Sequence, residues 1–267
     1  MEKNIDKSLS IQVSLNGLSF CIYNKKNNTV ETLYSTDFES KLSPFDTENR
    51  LKSEFENKSE FIDAFDEVNI IHDNSYVTIV PNDIYDEAQK ADYLKFNTKI
   101  LSTDFIATDD CSCINTKAVY IPYININNYL LDSFDSINYY HFATPFVQSV
   151  MLKKSRENEV FANVNSHQFH LLVIKENRFI FYNVFEYSSN EDFLYYLLFT
   201  LEQLKMNNDE LHINISGTLK KESELYELIY TYIRHVNFFE TPKDLIFNEN
   251  IDDSEISKNN ILLHSLS

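Results

Sequence analysis

The sequence predicts an α/β protein of two related lobes, and three observations carry that expectation. Two stretches, one near the start and one past the midpoint, each read as a three-stranded β-meander. Each meander is followed by helices alternating with single strands. The composition, 43% hydrophobic with 21 Phe and 17 Tyr among 267 residues, supplies enough apolar side chain for a large packed interior.

In the first meander Ile11, Val13 and Leu15 alternate with polar neighbours, and Asn16-Gly17 predicts a hairpin turn. Phe20 to Tyr23 forms a second strand, residues 24–28 a polar loop, and Val30 to Tyr34 a third strand. The second meander runs over Val160–Asn165, Gln168–Lys175 and Arg178–Tyr187, with a turn at Asn165-Ser166 and a loop at Glu176-Asn177. A constant offset of 149 lays Ser14 on Asn163, Asn16 on Asn165, Gly17 on Ser166 and Phe20 on Phe169.

After the first meander, Leu51, Phe55, Phe61, Ile62 and Phe65 give residues 46–67 the spacing of an amphipathic helix or helix pair. A strand over Tyr76–Val80 ends at Pro81, and a helix is expected from about Asn82 to Phe96. Strands follow near Ile100–Ala107 and Lys117–Tyr120. A short helix is expected over Asn125–Phe134, a strand over Ile137–His141 and a helix after Thr144. After the second meander, Ser188 and Glu191 read as a capping box opening a helix through Leu204. Leu211–Ser216 is a strand, Gly217-Thr218 a turn, and Glu222–His235 a helix. Residues 242–260 read as a polar loop before an apolar patch at Ile261–Leu263. The expected lobes are 1–149 and 150–267.

Composition excludes several functions. With 41 Asp+Glu against 23 Lys+Arg, the formal net charge is −18, which argues against phosphate-neutralising contact with nucleic acid or anionic membranes. The N-terminal stretch lacks the pattern of a secretory leader, and no apolar run is long enough to span a bilayer. Three cysteines, Cys21, Cys111 and Cys113, do not make a disulfide framework. A cytoplasmic location is expected. Only two glycines are present, where average usage would give about 19. Gly17 and Gly217 stand alone, so no Walker loop or GxGxxG turn can be built.

Several segments carry a resemblance: residues 118–130 (AVYIPYININNYL), 141–146 (HFATPF), 191–204 (EDFLYYLLFTLEQL) and 213–233 (INISGTLKKESELYELIYTYI). Together with both meanders they resemble a family of uncharacterised Bacteroidetes proteins with an actin-like ATPase (ribonuclease H-like) fold. The resemblance implies that the ends of the first two strands of each lobe occupy the place of phosphate loops. Active members of that superfamily carry an Asp and a Gly, spaced D-x-G, at each tip. Here the first tip reads Ser14-Leu15-Asn16 and the second Asn163-Val164-Asn165, so both positions are changed in both lobes. Neither tip offers the anionic oxygen that Mg²⁺ favours. The superfamily's third element, a G-G turn beneath the adenosine, reads Ser216-Gly217-Thr218, and its remaining Gly is expected to serve the turn itself.

Other motifs give little chemistry. His167 and His170 lie three apart on a strand and face opposite sides, so a shared metal is not expected. Cys111-Ser112-Cys113 lacks zinc-ligand spacing. The acidic pairs Asp109-Asp110 and Asp252-Asp253 read as solvated surface. Tyr123, Asn125, Asn127 and Asn128 form the candidate interaction surface, because Tyr and Asn suit contact formation. The expectation is therefore a non-enzymatic, actin-like binding or scaffolding protein with no cofactor, no metal and an unknown protein partner. The alternative is a divergent enzyme taking a nucleotide or phospho-ligand in the interlobe cleft.

Overall fold

A computed structural model of the chain describes residues 6–96 and 98–266. The first five residues, on which the leader reading partly rests, lie outside the described residues.

The first meander is β1 (Lys7–Ser14), β2 (Gly17–Asn24) and β3 (Thr29–Asp37). Leu9, Ile11 and Val13 of β1 and Leu18, Phe20 and Ile22 of β2 share one buried face. The covering helix α1 (Pro44–Asn57) begins at Ser43, whose side chain accepts from the Asp46 amide, with Pro44 in the first turn. Leu51 and Phe55 of α1, with Phe61 beyond it, seat on the sheet; the Phe20 and Phe61 rings stack 4.5 Å apart.

A strand that the sequence reading lacks follows: β4 (Glu67–His72), parallel to β1. Five of its six residues are buried, so it shows none of the alternation that marks a half-buried strand. Next comes an antiparallel three-stranded insert of β5 (Val77–Pro81), β6 (Ala107–Cys111) and β7 (Thr116–Tyr120).

Within the insert, the helix expected over residues 82–96 reduces to short 3₁₀ turns and α2 (Lys90–Leu94). Asp86 interrupts it, because its carboxylate accepts from the Ala88 amide and starts a new turn. The strand expected from Ile100 begins only at Ala107, since Asp104 folds back to accept from the Leu101 amide. Then α3 (Ile124–Ser133) packs beside α1, β8 (Asn138–His141) pairs parallel with β4, and α4 (Ala143–Lys153) leads onward.

The second meander is β9 (Glu159–Val164), β10 (Gln168–Lys175) and β11 (Arg178–Glu186). The helix α5 (Asn190–Gln203) is capped by Ser189, one residue beyond the expected position, and its partner is Asp192 rather than Glu191. Asp192 also accepts from the Ser188 amide, completing a reciprocal cap. β12 (His212–Gly217) runs parallel to β9, α6 (Glu224–Tyr232) covers it, and β13 (His235–Phe238), a strand absent from the sequence reading, pairs with β12.

Residues 242–260 are not one loop. β14 (Ile246–Phe247), α7 (Asp253–Lys258) and α8 (Asn260–His264) form there. The two main sheets are ordered β14-β3-β2-β1-β4-β8 and β11-β10-β9-β12-β13. The final strand of the chain thus joins the first sheet, and residues 149 and 150 fall inside α4. The expected boundary at 149/150 therefore lies within a helix. The inner faces of both sheets share one apolar core: Cys21 and Leu33 from the first, Phe161 and Leu172 from the second. Phe146 of α4 and Ile261, Leu262 and Leu263 of α8 fill the space between them.

Strand register also corrects the offset between the meanders. Ile11 pairs with Phe20 and Val13 with Leu18, while Ala162 pairs with Leu171 and Val164 with Phe169. A shift of 151, not 149, carries the first set onto the second. Because side chains alternate with period two, a slip of two residues keeps every side chain on its proper face and escapes notice in the sequence.

Candidate functional site

The two hairpin tips meet at the floor of the interlobe cleft. The first turn is Leu15-Asn16, since Gly17 already pairs with Ser14 as the first residue of β2. Gly17 is needed for space: a Cβ there would lie 2.7 Å from the Thr36 carbonyl oxygen. Ser14 Oγ accepts from the Asn16 amide at 3.1 Å, so the hydroxyl is engaged by its own turn.

With the corrected register, the counterpart of Ser14 is Asn165 and that of Asn16 is His167. The second tip is therefore Asn165-Ser166-His167, again without carboxylate or glycine. Ser14, Asn16, Gly17 and Asn165 line the cleft, and so do His167 and Gln168. Asn163 does not; it is buried and donates to Ser216 Oγ at 2.9 Å. The cavity between the tips measures about 90 Å³. That is room for roughly three waters, against the several hundred Å³ of a typical small-molecule pocket.

Gly217 takes φ +95° at the end of β12, and a Cβ on it would lie 2.3 Å from the Val164 carbonyl oxygen. The Thr218 amide donates to that same carbonyl at 2.8 Å. Gly217 is thus accounted for by a left-handed strand end packed against β9. Beside it a wider groove of about 540 Å³ is lined by Gly217, Lys220, Lys221, Asp253 and Lys258.

Two carboxylates line the floor, and both are taken by the protein itself. Both oxygens of Asp37 accept from Lys258 Nζ at 2.8 Å. Asp73, which follows β4 and is 2% exposed, accepts from Gln12 at 3.0 Å through Oδ2. Its Oδ1 meets Gln168 Nε2 at 2.6 Å and His170 Nε2 at 2.8 Å. His170 in turn meets the Tyr182 hydroxyl at 2.7 Å through Nδ1. Burial pushes the Tyr182 pKa well above its ordinary value, so this hydroxyl stays protonated. Asp73 and Gln12 come from the first lobe, and Gln168, His170 and Tyr182 from the second. Nothing in the local sequence marks Asp73; it is placed by the strand that periodicity missed.

Two further buried imidazoles flank the junction. His72 Nε2 lies 2.9 Å from Asn127 Oδ1, and the Tyr123 amide donates to His72 Nδ1. His141 Nε2 lies 3.0 Å from the Asn74 carbonyl, and its Nδ1 accepts from the Ala143 amide. Desolvation lowers His72 to about 4 and His141 to about 3, so both are neutral near pH 7. Among the described residues no group of three or more His, Cys, Asp or Glu is placed to hold a metal. His167 lies at the exposed tip and His170 in the interior, so the two histidines of the sequence motif do not converge.

The expected interaction surface is corrected. Tyr123 and Asn127 are buried, the one packed in the first lobe's core, the other bonded to His72. Asn125 donates to Glu48 and to the Pro44 carbonyl, tying α3 to α1. Only Asn128 of the four is exposed. Asp109 is not solvated surface either: its carboxylate accepts from the His141 amide, Thr144 Oγ1 and Tyr120 OH at 2.7 to 2.9 Å. Asp110 faces outward and pairs with Lys117.

The family model described as "Protein of unknown function (DUF3822)" matches residues 1–236. The chain belongs to this family. Among solved structures, this DUF3822 chain is similar to a Bacteroides thetaiotaomicron protein with actin-like ATPase fold and unknown function. The two share 22% identity over 89% of this chain and 92% of the other, with TM-score 0.79. It is also similar to a chain of the PilM–PilN type IV pilus biogenesis complex, at 8% identity, 97% coverage of both and TM-score 0.64. The ethanolamine utilization protein EutJ from Carboxydothermus hydrogenoformans matches at 6% identity over 97% and 89%, with TM-score 0.50. No curated protein matches the sequence. The DUF3822 chain thus has the actin-like ATPase fold, as its resemblance in sequence implied. No helix among its described residues is long and apolar enough to cross a membrane.

Proposed function

We propose that this DUF3822 protein is a non-catalytic, actin-like binding module that acts in the cytoplasm by holding another protein. One observation carries the reading: the carboxylates lining the cleft, Asp37 and Asp73, have every oxygen engaged by protein donors, while both tips lack one. A divalent cation would have to displace Lys258 or share the Asp73 carboxylate with its three donors, and hard cations need free oxygen ligands. A 90 Å³ floor between the tips also lacks space for a polyphosphate. The acidic chain disfavours nucleic acid as partner. The PilM–PilN complex offers a precedent at the level of fold, since an actin-like chain there assembles with a protein.

The test is calorimetric titration of the full chain with ATP and GTP in the presence of Mg²⁺, followed by phosphate release. No heat and no release up to millimolar nucleotide is the expected result. Micromolar binding with hydrolysis would overturn the proposal. A second reading, a phospho-ligand enzyme, draws on the 540 Å³ groove and its three lysines. It predicts saturable binding there that Lys220→Ala weakens.

A further inference from the structure

The second lobe carries an unpartnered face built from α5 and α6, which pack side by side, and from β13, the edge strand of their sheet, which α6 adjoins. Its exposed large side chains are aromatic. Tyr195 and Phe199, one turn apart on α5, are 61% and 48% exposed and stack with ring centroids 5.7 Å apart. On the neighbouring helix Tyr226 stacks on both Tyr230 and Phe238, at 6.4 and 5.8 Å. Tyr230 and Phe238 are 59% and 43% exposed. None of these rings is needed to fill the core beneath, which Phe193, Leu197, Leu225 and Ile229 complete.

The charge on the two helices of this face is of one sign, and the exposed Arg234 stands at its border between α6 and β13. Glu191 and Glu202 flank the rings of α5, and Glu224 and Glu227 those of α6; all four are exposed. Neither helix contains a Lys or Arg, and among the described residues none of the four forms an ion pair. Some carboxylates elsewhere do pair, as Glu48 with Lys52 and Glu87 with Lys90 do.

We propose that the α5–α6 face docks a cationic, arginine-bearing segment of another protein. A guanidinium can stack on an exposed ring while bonding a neighbouring carboxylate, and both groups are present here within one helical turn. A second copy of this chain fits poorly, because the face would meet its own four glutamates in a molecule already at −18. Anionic lipid and nucleic acid are repelled for the same reason. This inference rests on the binding-module reading and gives it an address.

The test is selection of a random 12-residue peptide phage library on the full-length protein. Isolated peptides are then titrated by fluorescence anisotropy against wild type, Tyr195→Ser/Phe199→Ser and Glu191→Lys/Glu227→Lys. These positions are exposed, and circular dichroism checks that the variants fold. The expected result is enrichment of net-positive peptides rich in Arg, bound at least 10-fold more weakly by both variants and weakened by salt. Neutral or acidic winners, no enrichment, or equal binding to all three proteins would overturn the assignment. Peptides that bind elsewhere would remove this face while leaving the binding-module reading intact, which nucleotide hydrolysis alone addresses. Concentration-dependent dimerisation lost in the Tyr195/Phe199 variant would identify a second copy as the occupant and overturn it too.

Discussion

Asp73 Oδ1 and His170 Nε2 lie 2.8 Å apart, one group supplied by each lobe and both shut away from solvent. Around them Gln12, Gln168 and Tyr182 complete a hydrogen-bonded bridge at the bottom of the cleft. In an apolar surrounding such a bridge is costly to leave half-made, so it fixes how the lobes face each other.

Asp73→Ala leaves two buried donors, Gln168 and His170, and the half-buried Gln12 without an acceptor. The expected loss is about 3–5 kcal/mol of unfolding free energy, read by urea denaturation. Combined with His170→Ala, the double variant should lose clearly less than the sum, by roughly 1–3 kcal/mol. Strict additivity would show that the bridge contributes nothing beyond its separate parts.

The neutral histidines make the fold sensitive to acid. His72 and His141 are lowered to about 4 and 3 in the folded chain, against about 6.5 when unfolded, so the unfolded state binds protons first as pH falls. Their stabilisation is complete above 6.5 and lost progressively toward 4 and below. His72→Gln removes one titration while keeping an amide to meet Asn127. Between pH 7 and 4.5 its stability should fall less than that of wild type, by roughly 2 kcal/mol.

Asp109 acts in the opposite sense. Desolvation raises it to about 6, although bonds from the His141 amide, Thr144 and Tyr120 offset part of that rise. A carboxyl raised above its unfolded value of about 3.9 favours folding below that value and loses the contribution as pH rises through 6. Asp109→Asn keeps a polar group there without the ionisation. Relative to wild type, it should gain stability from pH 5 to pH 7.5, by up to about 2 kcal/mol. Parallel pH profiles for the two proteins would refute this.

The glycines rank by geometry. Gly217→Ala forces a side chain into φ +95° and against a backbone carbonyl, so a loss of about 3 kcal/mol or more is expected in thermal unfolding. Gly17→Ala meets the Thr36 carbonyl without a left-handed backbone, and about 1–2 kcal/mol is expected.

Both meanders are legible because Ile11, Val13 and Leu15 alternate with polar neighbours and because polar turns mark the strand ends. These are Asn16-Gly17 in the first, and Asn165-Ser166 and Glu176-Asn177 at the ends of β9 and β10, which are as buried as β4. The residues 67–72 escaped because five of six are buried, which erases the alternation and hides the strand that delivers Asp73. The cleft tips were legible in kind but not in register. Asn163 stood in for Asn165 because a two-residue slip preserves facing. Tyr123 and Asn127 show the limit of residue-type arguments. The same chemistry that suits an interface also satisfies a buried imidazole, and only tertiary packing decides between them. The outward aromatic face of α5 is not marked in the sequence, since its exposure depends on how wide a stripe the sheet covers.

The pairing of Ile246 and Phe247 with Thr29 and Val30 has a kinetic meaning. Strands more than 200 residues apart meet there, and α8 inserts its leucines between sheets laid down much earlier. As the ribosome extrudes the chain, the first sheet waits without its outer neighbour, and the shared interior stays open, until residues 246–264 have emerged. Contacts of such long range close slowly. Newly made chains should therefore pass through an interval of exposed apolar surface, during which chaperones or a waiting partner have their best access.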